Sequence, residues 1–438
     1  MKNKKFITLG FTSVALSLSL FLTSTAGAQE NNTLQKEELS RLEALSKFSK
    51  VISIVEKYNV DKLSIEELMN KALEGMMSNL DAHSNYLTEK DFKHLKVQTE
   101  GEFGGLGITV GMKDGALTII APLEGTPADK AGLKAQDIIL KIDGKSTIGM
   151  TIDEAVSKMR GKIGDPIDIT IVREGESKPF DVHIVRGNIT IQSVYTKRID
   201  KDISYIRITS FDKKVVHDVK EAIQKESKNT KGIILDLRNN PGGLLDQAVG
   251  LVDLFVDSGD IVSQKGRDAA ETKVYKATKD ATLTKLPLVV LVNGGSASAS
   301  EIVSGALQDH KRGVIVGEKT FGKGSVQVVL PITDKEAIKL TIARYYLPSG
   351  RTIQAVGVTP DIEVAAGEIK THKNEFEIKE ADLKKHLKEE LEKIDGKKDQ
   401  TKAEKKDKKD IITPEMMNKD IQLKEAVDII KALMIIKG

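Results

Sequence analysis

The chain has no cysteine, few aromatic residues (4%) and a formal charge of only +3 over 438 residues. Without cysteine there is no disulfide, no thiolate nucleophile and no cysteine-bound metal, and the redox state of the compartment leaves no trace in the sequence. The near balance of 67 Lys and Arg against 64 Asp and Glu carries no nucleic-acid footprint. The small excess is local. Lys2, Lys4 and Lys5 supply all of it, so residues 29–438 are formally neutral (3 − 3 = 0). What is present is ordinary: 39% apolar content, enough for the cores of two or three domains.

The first residues read as an export signal. Lys2-Asn-Lys-Lys5 is a basic start, Phe6 to Leu22 is apolar but broken by Ser and Thr, and Ala26-Gly-Ala28 offers a small-residue cleavage site. The run is short and hydroxyl-rich for a membrane span. The expectation is a signal peptide over 1–28, cleaved after Ala28, that delivers the chain to the periplasm or the extracytoplasmic face of the membrane. An uncleaved anchor is the alternative, and membrane attachment is expected only in that case.

Residues 29–98 read as helical. Leu42, Leu45, Phe48, Val51, Ile52 and Val55 form an amphipathic stripe, and Ser64-Ile-Glu-Glu67 is a capping box opening the next helix. The apolar faces have two readings, packing on another domain or a homodimer interface. Residues 99–187 read as a small β-rich domain, with strands at Gly107 to Met112, Leu117 to Ala121, Asp137 to Ile142, Pro166 to Val172 and Phe180 to Val185, and a helix capped by Thr151-Ile-Asp-Glu154. Residues 188–365 alternate strands (Ile203 to Ile208, Gly232 to Leu237, Leu286 to Val292, Gly313 to Val316) with helices, which argues an α/β fold. A charged linker follows over 366–412, including a possible charged helix from Lys379 to Ile394. An apolar helix over 413–438 closes the chain, and the N-terminal helices, its own or a partner's, are the expected place for it to dock.

The chemistry concentrates in two stretches. The buried strand ending at Val292 turns at Asn293-Gly294-Gly295 and runs into Ser296-Ala-Ser-Ala-Ser-Glu301, the start of a helix. Ser298 there stands where unpaired N–H groups and the helix dipole favour negative charge, a place for a nucleophile whose oxyanion meets the N–H of Ala299. A serine needs a base. Lys323 lies between Gly322 and Gly324. Lysine is a base only when neutral, and holding it so at pH 7 against a free pKa of about 10.4 costs roughly 4 to 5 kcal/mol unless burial lowers that pKa. Gln327 can orient the amine without adding charge.

Taken in order, the two stretches resemble the carboxy-terminal processing peptidases, or tail-specific proteases, which use a Ser/Lys dyad. The resemblance implies Ser298 as nucleophile, Lys323 as general base and Gln327 as its orienting residue. Arg238-Asn-Asn-Pro-Gly-Gly243 resembles the family's second oxyanion element, with the N–H of Gly242 or Gly243 beside that of Ala299. The β-rich region resembles a PDZ domain. Gly104, Gly105, Leu106 and Gly107 would then bind a peptide's terminal carboxylate and Ile108 would begin the strand that receives the peptide. Arg160 is a candidate for linking this domain to the catalytic one. The implied fold is a multidomain α/β chain, a PDZ domain ahead of a crotonase-like α/β spiral, with helices at both ends. The implied activity is that of an exported serine endopeptidase cutting unstructured C-terminal tails, with no metal, cofactor or nucleic acid. Three rivals stand beside it: a non-catalytic PDZ adaptor on a peptidase-like scaffold, a hydrolase pairing Ser298 with Asp309 and His310, and an acyl-CoA enzyme.

Overall fold

The computed structural model describes residues 39–226, 229–268, 272–368 and 411–437. The expected signal peptide, the possible helix over 379–394 and most of the linker lie outside the described residues. Contacts divide the chain into one unit ending at Tyr86 and a second beginning at Leu87. In the first, residues 39–58 are helical (α1). The second helix, α2 (Ile65–Ser78), opens with a reciprocal cap: Ser64 N–H donates to Glu67 Oε2 at 2.7 Å, and Glu67 N–H to Ser64 Oγ at 3.2 Å. The stripe on α1 is largely in solvent, Leu42 at 63% and Leu45 at 59% exposure.

The second unit starts with α3 (Glu89–Glu100) and β1 (Glu102–Gly105). A six-stranded antiparallel sheet follows: β2 (Ile108–Lys113), β3 (Ala116–Pro122), β4 (Ile138–Ile142), β5 (Pro166–Val172) and β6 (Phe180–Val185) pair in that order, and the two-residue strand Lys145–Ser146 pairs with β4. Two helices accompany it, the single turn α4 (Pro127–Lys130) and α5 (Ile152–Met159). Alternate residues Ile167, Ile169 and Ile171 turn inward with Leu117, Ile119, Ile139 and Ile184, and α5 closes that core with Ala155 and Met159. The last carbonyls of α5 need donors. Arg186 supplies them, reaching Lys158 O and Met159 O at 2.9 Å each. β7 (Gly187–Thr190) then returns to pair with β1.

The strands after residue 190 are β8 (Val194–Ile199), β9 (Ile203–Ile208), β10 (Gly232–Asp236), β11 (Asp260–Lys265), β12 (Lys273–Lys276), β13 (Leu288–Val292), β14 (Val314–Gly317), β15 (Ser325–Pro331), β16 (Ala337–Tyr346) and β17 (Ile362–Glu363). Six form one sheet in the order β8-β9-β10-β13-β14-β17, parallel except for the β8–β9 pair. Helices α6 (Val215–Glu226), α7 (Leu245–Asp253) and α8 (Ala299–Asp309) belong to the same region. On one face Ile233, Leu235, Val290, Val292 and Ile315 share a core with Val219, Leu251 and Val303 of these helices. The alternate residues Ile234, Val289, Leu291 and Val316 fill the other face. Burial on both faces is why these strands read as unbroken apolar runs. A second, antiparallel sheet runs β15-β16-β11-β12.

The second face of the six-stranded sheet is covered by the C-terminus. α9 (Pro414–Asn418) and α10 (Ile421–Lys437) set Met417, Leu423, Ala426, Val427 and Ile430 against Ile234, Val289, Leu291 and Val316. This corrects the expectation that the last helix docks on the N-terminal helices. The sheet has an apolar face of its own to cover. Burying Leu423, Val427 and Ile430 there contributes on the order of 2 kcal/mol each.

Candidate active site

β13 delivers the chain to the Asn293-Gly294-Gly295 turn, and Ser298 stands at the N-cap of α8 with φ 54° and ψ −111°. A non-glycine residue in that conformation carries strain on the order of 1–3 kcal/mol, which the surroundings must hold. They do so through Glu301, whose Oε2 accepts the Ser298 N–H at 2.8 Å. The N–H of Ala299, first residue of the helix, has no acceptor among the described residues. It is thus a free donor beside the serine.

Glu301 is the centre of the site's construction. Its side chain is fully buried. Oε2 accepts the N–H of both Ser298 and Lys323 at 2.8 Å, while Oε1 accepts the N–H of Gly322 and the hydroxyl of Thr320 at 2.6 Å each. One carboxylate therefore joins the serine turn to the lysine loop. Sharing an oxygen, the backbone nitrogens of Ser298 and Lys323 lie within twice 2.8 Å of each other. Sequence reading assigned Glu301 no role. Its signal was present in Ser298-x-x-Glu301, the spacing of a capping box.

Lys323 is half-buried. Loss of solvent lowers its pKa below the ordinary lysine value, the positive charge of Lys339 lowers it further, and Glu301 opposes both. Its Nζ has no hydrogen-bond or ion-pair partner among the described residues. Gln327 is on β15, two residues from Ser325. Its amide nitrogen donates to Ser325 Oγ at 2.8 Å and to Thr341 Oγ1 at 3.4 Å, with no bond to Lys323.

The glycine turn after β10 lies against the serine. A Cβ on Gly242 would stand 2.9 Å from Ser298 Cβ and 3.0 Å from Ala299 N. The two glycines differ in what their N–H groups do. That of Gly242 donates to Asn240 Oδ1 at 2.9 Å, whereas that of Gly243 has no acceptor among the described residues. Asn240, fully buried, ties the loops together, since its carbonyl accepts the Ala297 N–H at 3.0 Å and the Ser300 hydroxyl at 2.9 Å. Asp309 and His310 sit at the far end of α8. Asp309 pairs with Arg351 at 2.9 Å, and His310 Nε2 lies 2.8 Å from Asp260 O.

In the β-rich domain, Gly104 and Gly105 belong to β1, paired with Asn188 and Gly187. Gly107 has φ 79°, and a Cβ there would strike Thr126 at 2.4 Å. The Leu106 and Gly107 carbonyls are taken by the N–H groups of Ala128 (2.9 Å) and Leu123 (2.8 Å). β2, beginning at Ile108, is an edge strand, paired only with β3 among the described residues. Arg160, at the end of α5, lies over the Phe103 ring at 4.3 Å.

Known proteins resemble this chain in sequence. The family model for peptidase family S41 matches residues 202–364, and that for a PDZ domain matches residues 118–173. The carboxy-terminal-processing protease of Bartonella bacilliformis is 41% identical over 375 residues, 84% of this chain and 86% of its own. The carboxy-terminal processing protease CtpA of Bacillus subtilis is 36% identical over 363 residues, 82% of this chain and 76% of its own. A solved photosystem II D1 C-terminal processing protease is 29% identical, with a TM-score of 0.42 over 73% of this chain and 92% of that one. The chain belongs to the carboxy-terminal-processing proteases of peptidase family S41, serine peptidases with a PDZ domain ahead of the catalytic core.

Proposed function

We propose that this chain is an exported endopeptidase that cuts C-terminal tails with a Ser298/Lys323 dyad. The observation that carries the reading is the shared Glu301 carboxylate, which holds the backbones of the two residues together. The Ser298 hydroxyl attacks a peptide carbonyl carbon while its proton passes to neutral Lys323 Nζ. The oxyanion takes the free N–H groups of Ala299 and Gly243. Lys323 then returns the proton to the leaving amine as the C–N bond breaks. Water, losing a proton to the same amine, attacks the ester, and the amine passes that proton to the departing Ser298 oxygen, restoring the hydroxyl and the neutral base. Catalytic hydrogen bonds often close only around a substrate, and the proposal requires Lys323 Nζ to reach Ser298 Oγ there. Gln327 would have to exchange its bonds to Ser325 and Thr341 for one to that amine in order to orient it.

The PDZ domain holds the tail. The peptide adds as a strand along the open edge of β2 from Ile108, its carboxylate at the turn Gly104-Gly-Leu-Gly107. Cleavage of the first 28 residues would release the protein beyond the membrane, and the exposed stripe of α1 suits a homodimer. The test is hydrolysis of a tailed protein whose terminus is either free or amidated. The free acid is cut by wild type, while Ser298→Ala and Lys323→Ala leave it intact. Amidation weakens binding about tenfold or more, the scale of a lost charge-assisted hydrogen bond. Undiminished cutting by Ser298→Ala removes the dyad, and equal affinities for the two tails remove the PDZ role.

A further inference from the structure

Arg238 stands between the end of β10 and the oxyanion loop, and the side chain that completes its partners comes from the C-terminus. Its guanidinium side chain is only 11% exposed. Nε lies 3.0 and 3.1 Å from the two oxygens of Asp236, and Nη2 lies 2.7 Å from Asp236 Oδ2. Toward the other side, Nη1 and Nη2 each donate to one oxygen of Asp420 at 2.8 Å, and Nη1 also to Gln422 Oε1 at 3.1 Å. This is a two-pronged guanidinium–carboxylate pair, which fixes direction as well as distance. Asp420 is itself held, because its Oδ1 accepts the Leu423 N–H at 3.0 Å and so caps α10. Gln422 is anchored by donating to Val364 O at 2.8 Å.

The next residue after Arg238 begins the loop. Asn239 N–H donates to Asn293 Oδ1 at 2.8 Å, and Asn240 carries the contacts to Gly242, Ala297 and Ser300 described above. The loop is thus gripped on the serine side by Asn240 and at its entrance by Arg238. Apolar docking of α10 would hold the helix without any ion pair. The pair adds a fixed orientation at the one residue where the parallel sheet hands the chain to the oxyanion turn.

We propose that Asp420 is a positioning residue of the oxyanion loop, clamping Arg238 from the C-terminal helix so that catalysis at Ser298 depends on the docking of residues 411–437. The proposal rests on the peptidase reading above. Without the clamp the guanidinium keeps Asp236 and a single bond to Gln422, loses its two-pronged carboxylate partner, and the loop entrance gains freedom. A misplacement of about 1 Å at a reacting centre costs on the order of 10²-fold in rate.

The test uses the full chain carrying Asp420→Asn, which keeps the shape and removes the charge, and Asp420→Glu, which keeps the carboxylate. Cleavage of a tail peptide gives kcat and KM, and binding of a non-cleavable tail peptide reports the PDZ domain separately. Asp420→Asn is expected to lower kcat about 10- to 100-fold with KM and tail affinity within about twofold of wild type, and Asp420→Glu to retain more of kcat. Wild-type kcat in Asp420→Asn, a loss of kcat matched by a loss of tail affinity, or Asp420→Glu no better than Asp420→Asn each overturns the proposal. A wild-type chain that cuts nothing defeats the peptidase reading itself, which is a different result.

Discussion

Glu301→Gln is the sharpest perturbation of the site, because the change is nearly isosteric and its cost can be counted. The carboxylate accepts four hydrogen bonds in a fully buried place. A glutamine keeps one oxygen and gains an NH₂ group. In its best orientation the oxygen takes the place of Oε2 and keeps the Ser298 and Lys323 N–H groups. Thr320 can rotate its hydroxyl to accept from the NH₂. The Gly322 N–H then faces another donor, and one orphaned buried donor costs about 1–3 kcal/mol. The bonds that remain lose their ionic character, roughly 1 kcal/mol each. The total is about 4 kcal/mol. If half of it is expressed in the transition state, kcat falls about 30-fold. A second effect has the opposite flavour. Glu301 holds the Lys323 pKa up against burial and Lys339, so its neutralisation should let that pKa fall and move the acid limb of the kcat/KM profile to lower pH. Cleavage of a tail peptide across pH, with thermal melting of the same samples, reads both. A variant within about twofold of wild-type kcat and unchanged in melting would refute the claim that this carboxylate assembles the site.

Lys339→Met removes the second cation near Lys323 and should shift the acid limb upward, since the amine must be neutral to act and its pKa would rise; an unmoved limb contradicts this. Gly243→Ala forces a side chain at φ 148°, 2.3 Å from Phe211 O, and should lower kcat by about 10² or more while leaving tail binding intact; wild-type kcat contradicts the role given to the turn. In the PDZ domain burial opposes ionisation of Asp137, but Arg173 and the Lys134 N–H outweigh it and hold the carboxyl below its usual range. A depressed folded pKa stabilises above the unfolded value of about 3.9 and that gain is lost as pH falls. Arg173→Met should therefore cost the PDZ domain about 1–3 kcal/mol near neutral pH and much less in acid. Chemical denaturation of variant and wild type at the two pH values reads the loss, and equal losses at both contradict the pairing.

Much of the fold was legible where one physical signal dominated. Ile203 to Ile208 and Gly232 to Asp236 are strands because apolar residues fill both faces, and α2 and α5 begin where Ser64-x-x-Glu67 and Thr151-x-x-Glu154 place reciprocal caps. The hairpins β11–β12 and β15–β16 were missed. Lys265, Lys273, Lys276 and Lys339 interrupt any apolar alternation, and the pairing of β11 with the distant β16, which joins the two hairpins, leaves no local mark. The docking of α10 was misjudged for a related reason. A periodic stripe of Leu423, Val427 and Ile430 says that a face must be covered, not by what. At the site, Ser298, Lys323 and the Pro241-Gly242-Gly243 turn were visible as residues. Asn240, Glu301 and Asp420 act through polar contacts reaching across 22 to 182 residues, which spacing does not encode.

The Ser298/Lys323 mechanism requires a covalent bond to Ser298. Intact-protein mass spectrometry after rapid quenching with an activated ester of a tail sequence should show the enzyme heavier by the acyl fragment, mapped by fragmentation to Ser298. Ser298→Ala and Lys323→Ala should carry no such adduct. Hydrolysis at the wild-type rate by Ser298→Ala, or an adduct located on another residue, contradicts the account.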